Sequence, residues 1–337
     1  MKYLSLFTGI GGFEVAIHKV FPDAECVGYS EVKPHAIKVY EHHFPGHKNL
    51  GDITKLTEEQ IKEVVKDGCD IIFGGFPCTN LSSMASIQGD DTGLKGKKSS
   101  LFYEMIRVIR IVKPKYVIIE NNYSMKKSNR SMITETLQDL FEEPIHMTMI
   151  NAADFGIQAR KRLYWTNFEI QDEIRVCEQE WEDVLEPIEE VEPYFLSNQM
   201  TLCLNKMVQC KKNTTRIAKQ YENEDAYCFE QVETNNEKSR WEVTPKSDTG
   251  KDKAQTFVGS GGGGNNILID RRHYDENVFY PRRFIPVEVE RMFHYPDGYT
   301  DMGLSRTPGY NLLVNTVVVK VMNIIEETLK STVSSPG

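Results

Sequence analysis

Short apolar runs alternate with segments of helical spacing through the first half of this 337-residue chain, and this alternation limits the fold more than any other feature. Runs such as 69–73 and 116–119 are typical of buried strands, whereas 13–20 has its apolar residues at helical spacing. The pattern favours an open α/β sheet that binds ligands at the carboxyl ends of its strands. The expected strands are 3–7, 25–29, a short one near 50, 69–73, 116–119, 145–150 and 163–166, and the expected helices are 13–20, one from 33, 57–65 and 99–112.

Composition excludes several classes of protein. The chain is 40% hydrophobic and 26% charged, which is ordinary for a soluble globular protein with a large core and a second, smaller domain. Its net charge of -9 provides no global basic field, so a nucleic-acid site would depend on local lysines and arginines. Seven scattered cysteines without a CxxC pair indicate reduced thiols rather than disulfides or a zinc site. With no signal peptide or transmembrane run, we expect a cytoplasmic protein of a bacterium or a virus-infected cell.

A glycine-rich turn at 8–12 lies between the first expected strand and the first expected helix. Glycines let a backbone approach a ligand closely, so this unit suits a nucleotide, although an ordinary tight connection is the alternative. Glu31 ends the second strand, where a carboxylate can accept hydrogen bonds from a ribose diol or stabilise the start of the next helix. Asp52 can accept from an adenine amino group or cap the helix that follows it.

Candidate reactive groups follow two other strands. Cys78 comes after the run 69–73 and is well placed as a nucleophile, although a free cysteine is most often a small core residue. Glu120 stands at the end of the run 116–119, and a buried acid without a partner is costly, which favours a functional role. Arg160 and Arg162 belong to a loop that is either solvated or, beside Cys78 and Glu120, a clamp for an oxyanion or phosphate.

Six short motifs follow one another along the chain. They are residues 5–13, Gly75-Phe76-Pro77-Cys78 with Ser82, Glu120-Asn121, Gln158-x-Arg160-x-Arg162, 282–299, and 311–321 with Asn315. Together they resemble the DNA (cytosine-5)-methyltransferase family, in its bacterial and viral single-chain form. Their order and approximate spacing are those of the family and cover nearly the whole chain. Pro-Cys alone would be a weak signal, whereas six motifs in register are a strong one.

The resemblance implies a Rossmann-like class I S-adenosylmethionine-dependent methyltransferase domain of α/β class, with a mixed, mostly parallel sheet and a small target-recognition domain. Residues 1–167 and 280–337 would form the catalytic domain, and 168–279 would form the recognition domain. The expected cofactor is S-adenosyl-L-methionine, with S-adenosyl-L-homocysteine as product and no metal. Its expected contacts are Phe7, Gly9, Ile10, Gly11, Glu31, Val32, Asp52, Ile53, Pro77, Leu101, Asn315 and Val317.

The resemblance also assigns chemical roles. Cytosine C5 is a poor nucleophile, and a Cys78 thiolate that adds at C6 would convert the ring into an enamine that is nucleophilic at C5. Glu120 would donate to N3, Arg162 would hold the O2 side, and Arg160 would orient the base or the loop. Because this chemistry cannot occur within a stacked duplex, the cytosine must flip out.

Double-stranded DNA is the expected partner, bound by a monomer with a possible restriction endonuclease as its counterpart. The expected DNA contacts are Ser82, Lys97, Gly262 and Gly263, and the segment 80–100 would close over the phosphates. A basic cluster at Lys206, Lys211, Lys212, Arg216 and Lys219 would contact phosphates, or else form a solvated helix face.

Three positions depart from the family's usual residues. Ser5 replaces the usual Asp, Asn122 replaces the Val of Glu-Asn-Val, and Val314 replaces the Gly of Gly-Asn. The alternatives are the tRNA-methylating branch of the family, an inactive DNA-binding homologue, and transfer of a modified group from an altered cofactor. Retention of Cys78, Glu120 and Arg162 disfavours the inactive homologue.

The segment between Thr166 and Arg282 is short for the family and contains no duplicated block. One small domain contacts few base pairs, so we predict a single recognition sequence of about two to four base pairs, read by side chains within 198–266. Bisulfite sequencing of a plasmid co-expressed with the protein measures this. Modified cytosines in a context of about six or more base pairs, or in two unrelated contexts, would contradict the prediction.

Overall fold

The structure is a computed structural model that describes residues 1–77, 100–171, 179–191, 193, 227–232, 240–243, 267–275, 278–303 and 306–334. The described chain divides into two compact units. The first unit contains Met1–Asn151, Lys161–Arg175 and Thr316–Gly337, and the second contains Ala152–Arg160 and Val176–Asn315. Most of the predicted recognition segment 168–279 therefore belongs to the second unit, which also includes 152–160 and 280–315. The functional boundary of the recognition domain remains a prediction.

A six-stranded sheet in the order β2-β1-β3-β4-β6-β5 is the centre of the first unit. Strands β1 to β4 pair in parallel, β6 runs antiparallel to β4, and the edge strand β5 runs antiparallel to β6. The sheet is therefore mixed and mostly parallel, as predicted. The strands are β1 (Lys2–Leu6), β2 (Glu25–Ser30), β3 (Ile71–Gly75), β4 (Tyr116–Asn122), β5 (His146–Asn151) and β6 (Lys161–Thr166).

Helices pack on both faces of this sheet. Apolar residues of α3, α4 and α5 join Leu4, Ile72 and Val117 in one core cluster. On α1, Phe13 stacks on Phe73 of β3, and Phe73 stacks on Tyr3 of β1. The helices are α1 (Gly12–Val20), α2 (Pro34–His43), α3 (Glu58–Val64), α4 (Ser100–Val112) and α5 (Lys127–Gln138), and the chain returns to this unit in α10 (Val319–Ser334), which packs against α1.

Two strand predictions need correction. The strand expected near Leu50 is only an isolated bridge between Asn49 and Tyr29, because the chain turns away at Gly51, which has a positive φ of 72°. Strand β4 does not end before Glu120 but continues to Asn122. Its continuation follows from pairing on both sides, since Glu120 lies opposite Gly75 of β3 and Tyr164 of β6. Glu120 is therefore held by the sheet and not by a loop.

The second unit contains a four-stranded antiparallel sheet in the order β10-β9-β7-β8. A buried ion pair stabilises its described core: Arg282 donates two hydrogen bonds to Glu288, at 2.8 and 2.7 Å. Glu288 also accepts from the amides of Ile285 and Glu186, so its charge is well satisfied. The elements are β7 (Tyr227–Val232), β8 (Arg240–Val243), β9 (Ile267–Asp275), β10 (Val278–Arg283), α6 (Trp181–Val184), α7 (Ile188–Val191), α8 (Pro286–Met292) and α9 (Arg306–Val314).

Two buried carboxyl groups, one on α1 and one on α10, interact electrostatically in the first unit. Glu14 and Glu326 are both fully buried. Within the described residues, Glu14 Oε1 accepts from the Tyr40 hydroxyl at 3.2 Å, whereas neither oxygen of Glu326 has a hydrogen-bond partner. Burial raises the pKa of Glu14 to about 7. Burial, with the charge of Glu14, raises the pKa of Glu326 well above its ordinary value. The folded state therefore favours protonated carboxyls at this position.

Replacing Glu326 by Gln should stabilise the protein at alkaline pH. A carboxyl whose pKa is raised on folding contributes its full stability below its unfolded pKa, and the contribution falls as pH rises through the folded pKa. Glu326→Gln removes this loss, so at pH 8 we expect its free energy of unfolding to exceed that of the wild type by about 1–3 kcal/mol, and the gap to shrink at acidic pH.

Urea unfolding at several pH values measures the effect. Glu327→Gln is the matched control, because Glu327 is the next residue of the same helix and its side chain is exposed. Equal free energies for Glu326→Gln and Glu327→Gln at pH 8 would contradict the prediction.

Candidate active site

The pairing of β3 with β4 brings two of the predicted motifs to the same edge of the sheet. Gly75 lies directly opposite Glu120 in the parallel register. Beyond Gly75 the chain continues through Phe76 and Pro77 towards Cys78, which lies outside the described residues. The side-chain amide of Asn121 donates to the carbonyl of Phe76 at 3.0 Å. The end of β4 therefore fixes the backbone two residues before the predicted nucleophile.

Glu120 and Arg162 form an ion pair at this edge, with 2.9 Å between Arg162 Nε and Glu120 Oε1. Both side chains are only 14% exposed. Arg162 is positioned by the antiparallel pairing of β4 with β6, where it lies opposite Asn122. A largely buried guanidinium beside a carboxylate can orient that carboxylate and stabilise negative charge on a bound ring. The structure thus brings together two of the residues that the sequence assigned to catalysis.

Gly75 makes room for the Glu120 carboxylate. A Cβ atom at this position would lie 2.8 Å from Glu120 Oε2, closer than such contacts occur. Any side chain at position 75 would therefore displace Glu120 from its place beside Arg162. The sequence motif contained Gly75 without indicating this function, because the steric requirement depends on the register of two strands that are distant in the chain.

The glycine-rich turn after β1 has an unusual backbone. Phe7 has a positive φ of 55°, followed by Gly9 at 61° and Gly11 at 91°. A Cβ at Gly11 would lie 2.6 Å from the ring of Phe44, whereas a Cβ at Gly9 would meet no atom of the described residues within 4 Å. Ser5 Oγ and Thr8 Oγ1 lie 3.0 Å apart, and the hydrogen bond between them stabilises the turn. Close packing at Gly11 and open space at Gly9 suit a backbone that a ligand approaches.

Glu31, which directly follows β2, accepts hydrogen bonds from the glycine turn and from the start of α2, and its contact with a ribose stays a prediction. One carboxylate oxygen accepts from the amide of Gly9 at 2.9 Å, and the other accepts from the amides of Val32 and Lys33 at the start of α2. Beside it, the Val32 side chain is 59% exposed, which offers an apolar surface. A carboxylate joined to the glycine turn, an open Gly9 and an exposed apolar side chain fit a nucleoside with its ribose diol.

Asp52 is the cap of the short helical turn Ile53–Lys55. Its carboxylate accepts from the amide and the hydroxyl of Thr54, at 3.0 and 2.8 Å. Those hydrogen bonds, mainly the one from the Thr54 hydroxyl, lower the pKa of Asp52 below its ordinary value. The cap expected from the sequence is present, but at this short turn and not at α3, where Thr57 is the cap. An adenine contact from Asp52 remains a prediction.

The remaining predicted contacts divide between the two units. In the first unit, Ile10, Ile53 and Val317 are buried and Leu101 is half-buried at the start of α4. In the second unit, Asn315 donates to the carbonyl of Asn311 at 2.6 Å. Ser82, Lys97, Gly262, Gly263 and the basic cluster 206–219 lie outside the described residues.

Arg160 belongs to the second unit and is buried there. One guanidinium nitrogen donates to the carbonyl of Val314 at 3.1 Å, and the guanidinium lies 5.2 Å from the ring centre of Phe293. Both contacts lie within the second unit, and the expected role of Arg160, to orient the base or the loop, stays a prediction. The two arginines of Arg160-x-Arg162 thus have different contacts: Arg160 stabilises the second unit, and Arg162 pairs with Glu120 in the first.

Asn122, one of the departures from the family, builds a turn. Its side-chain oxygen accepts from the amide and the hydroxyl of Ser124, at 2.9 and 3.0 Å. This Asx-type hydrogen bonding stabilises the connection from β4 to α5. The polar residue at this position therefore has a structural explanation within its own loop.

Comparison with known proteins agrees with this geometry. The family model of the C-5 cytosine-specific DNA methylases matches residues 1–331. The type II methyltransferase M.HhaI of Haemophilus parahaemolyticus is 27% identical, with 99% of this chain and 95% of that protein covered. M.NlaX of Neisseria lactamica is 25% identical, with 99% and 97% covered. The chain belongs to the C-5 cytosine-specific DNA methylase family.

Solved structures show the same fold. The Entamoeba histolytica methyltransferase EhMeth matches with a TM-score of 0.70 at 17% identity, covering 99% of each chain. The S. pombe Dnmt2 methyltransferase matches with a TM-score of 0.67 at 17% identity, covering 99% of this chain and 100% of that one. The prediction of a Rossmann-like methyltransferase fold is confirmed.

Replacing Glu31 by Ala should weaken the binding of S-adenosylmethionine by about 1–3 kcal/mol, because hydroxyl groups of a bound ribose would lose their acceptor. Isothermal titration measures the affinity. Glu25→Ala is the matched control, since Glu25 is an exposed acid at the other end of the same strand. Equal affinities for the two variants, both folded by thermal melting, would reject the placement of the ribose at Glu31.

Proposed function

We propose that this protein is a DNA (cytosine-5)-methyltransferase that methylates C5 of a flipped-out cytosine in a short duplex sequence through a covalent Cys78–C6 intermediate. The observation that carries the proposal is the Glu120–Arg162 ion pair at 2.9 Å, beside the strand that leads into Pro77-Cys78. These groups are what the reaction requires: a nucleophile, a group for the Watson–Crick edge, and a cation for the developing charge.

In the proposed reaction, Cys78 supplies a thiolate that forms a bond to C6. The electrons of the C5–C6 double bond move towards C5, and negative charge develops on the ring. Glu120 donates a proton or hydrogen bond at N3 and Arg162 stabilises the O2 side. After methyl transfer, a base removes the C5 proton, the C6–S bond breaks so that Cys78 leaves as a thiolate, and a proton donated at N3 returns to Glu120, which restores the aromatic ring.

S-adenosylmethionine is the proposed methyl donor, and when bound it supplies an electrophilic methyl group. The residues that would hold it are Glu31 for the ribose and the turn Gly9 to Gly11 for close approach of the backbone, with Phe7, Val32 and Asp52 around the adenosine. The open space at Gly9 and the contact from Glu31 to the Gly9 amide support this assignment. Val317 would be a further contact within the first unit.

Duplex DNA is favoured over tRNA as the substrate. The support is that relatives matched over nearly their whole length are type II methyltransferases, both bacterial. We propose a monomer that reads its target with the segment 168–279 and that works with a cognate endonuclease or alone. In the part of the chain that the structure describes, no helix is long and apolar enough to span a membrane.

Cys78→Ala should abolish methyl transfer while leaving DNA binding largely intact, because the alanine cannot add to C6. Transfer of labelled methyl groups to duplex DNA and to tRNA measures activity and substrate together, and a gel shift measures binding. Cys69→Ala is the control, since Cys69 is the neighbouring cysteine before β3 and its thiol donates to the backbone carbonyl of Ile71.

Two outcomes would contradict the proposal. Residual activity of Cys78→Ala above about 3% of wild type would exclude Cys78 as the nucleophile. Incorporation of methyl groups into tRNA but not into duplex DNA by the wild type would instead assign the protein to the tRNA-methylating alternative.

A further inference from the structure

An exposed aromatic ring between two cations lies on the connection from β4 to α5. Tyr123 is 38% exposed, with the Arg130 guanidinium 4.7 Å and the Lys161 ammonium 6.0 Å from its ring centre. Lys126 and Lys127, both exposed, begin the helix that follows. We call these five residues, all in the first unit, the Tyr123 surface.

The charge of this region is opposite to that of the whole chain. Residues 121–134 contain Lys126, Lys127 and Arg130 and no acid, whereas the chain has a net charge of -9. The first turn of α5 contains no acidic residue. A local excess of cations in an acidic protein is not explained by solubility, and it is what contact with phosphates requires.

Arg130 organises the surface. It donates hydrogen bonds to the carbonyls of Tyr123 and Met125, so its guanidinium holds the turn while it covers the Tyr123 ring. Asn122 fixes the same turn from the strand side. The lysines are thereby presented from a rigid backbone, which reduces the conformational entropy lost when they bind a ligand.

The Tyr123 surface is continuous with the candidate active site. Strands β4 and β6 are antiparallel, so the carboxyl end of β4 meets the amino end of β6, where Lys161 precedes Arg162. Arg162 pairs with Glu120, three residues before Tyr123. Tyr123 and Lys161 are therefore next to the residue proposed to bind the flipped base.

We propose that the Tyr123 surface binds the phosphate backbone of duplex DNA next to the flipped cytosine, with Lys127 and Lys161 contacting phosphates and Tyr123 contacting the sugar between them. This inference rests on the proposed function. It assigns a further binding site on the side of the active site formed by β4 and β6.

The test is the salt dependence of binding to a labelled duplex, measured by fluorescence anisotropy for Lys127→Gln, Lys161→Gln and the double variant. Each single substitution should lower the slope of log Kd against log salt by about one, and the double by about two. At moderate salt each should weaken binding by about three- to tenfold.

Lys115→Gln is the matched control. Lys115 is also an exposed lysine beside a tyrosine, 5.1 Å from the ring centre of Tyr116, but it lies at the opposite end of β4. It should keep the wild-type slope. Tyr123→Phe, which retains the ring between the two cations, should also bind as the wild type does, whereas Tyr123→Ala should not.

The outcomes separate this inference from the proposed function. If the wild type methylates and binds duplex DNA while the Lys127 and Lys161 variants keep the slope of Lys115→Gln, the surface assignment is wrong and the proposed function stands. If the wild type methylates tRNA and not duplex DNA, the proposed function is wrong and so is the assignment of DNA to this surface.

Discussion

The pairing of β4 with strands on both of its sides is the constraint on which the candidate site depends. Parallel pairing with β3 places Gly75 opposite Glu120, and antiparallel pairing with β6 places Arg162 within 2.9 Å of the same carboxylate. A glycine is required on one side and a cation on the other. The chain meets both requirements with residues from three strands, so a slip of one residue in either register would turn these side chains to the wrong face.

The buried carboxyl groups of the two units differ in whether a cation compensates their charge. Glu288 in the second unit accepts two hydrogen bonds from Arg282 and two from backbone amides, so its charge is compensated inside the core. In the first unit, Glu14 accepts from the Tyr40 hydroxyl and neither oxygen of Glu326 has a hydrogen-bond partner within the described residues, and burial favours the protonated forms of both carboxyl groups. Glu120 lies between these cases, since it is paired but remains partly exposed. Partial exposure lets a paired carboxylate exchange its partner for a ligand, which a fully compensated one such as Glu288 does not allow.

Local signals in the sequence predicted much of the first unit. The alternation of strands and helices, the turn at 8–12 and the place of Glu31 at the start of α2 follow from residues that are close in the chain. The prediction of a strand near Leu50 was wrong, because Leu50 is apolar in order to pack on Gly28 and not because it belongs to a ladder of paired strands. A Cβ at Gly28 would lie only 3.1 Å from the Leu50 side chain. The function of Gly75 and the separation of Arg160 from Arg162 were not predictable, because each depends on contacts between distant segments. Cys78 and the DNA contacts of the recognition segment stay predictions.

An acidic protein that binds DNA requires its charges to be segregated. At physiological ionic strength a charge is screened beyond about 8 Å, so a phosphate responds to the side chains near it and not to the net charge of the chain. The short helices Trp181–Val184 and Ile188–Val191 each contain two acidic residues, whereas residues 121–134, which include the turn after β4, contain three cations and no acid. The total of -9 therefore argues against non-specific attraction at long range but not against a specific complex.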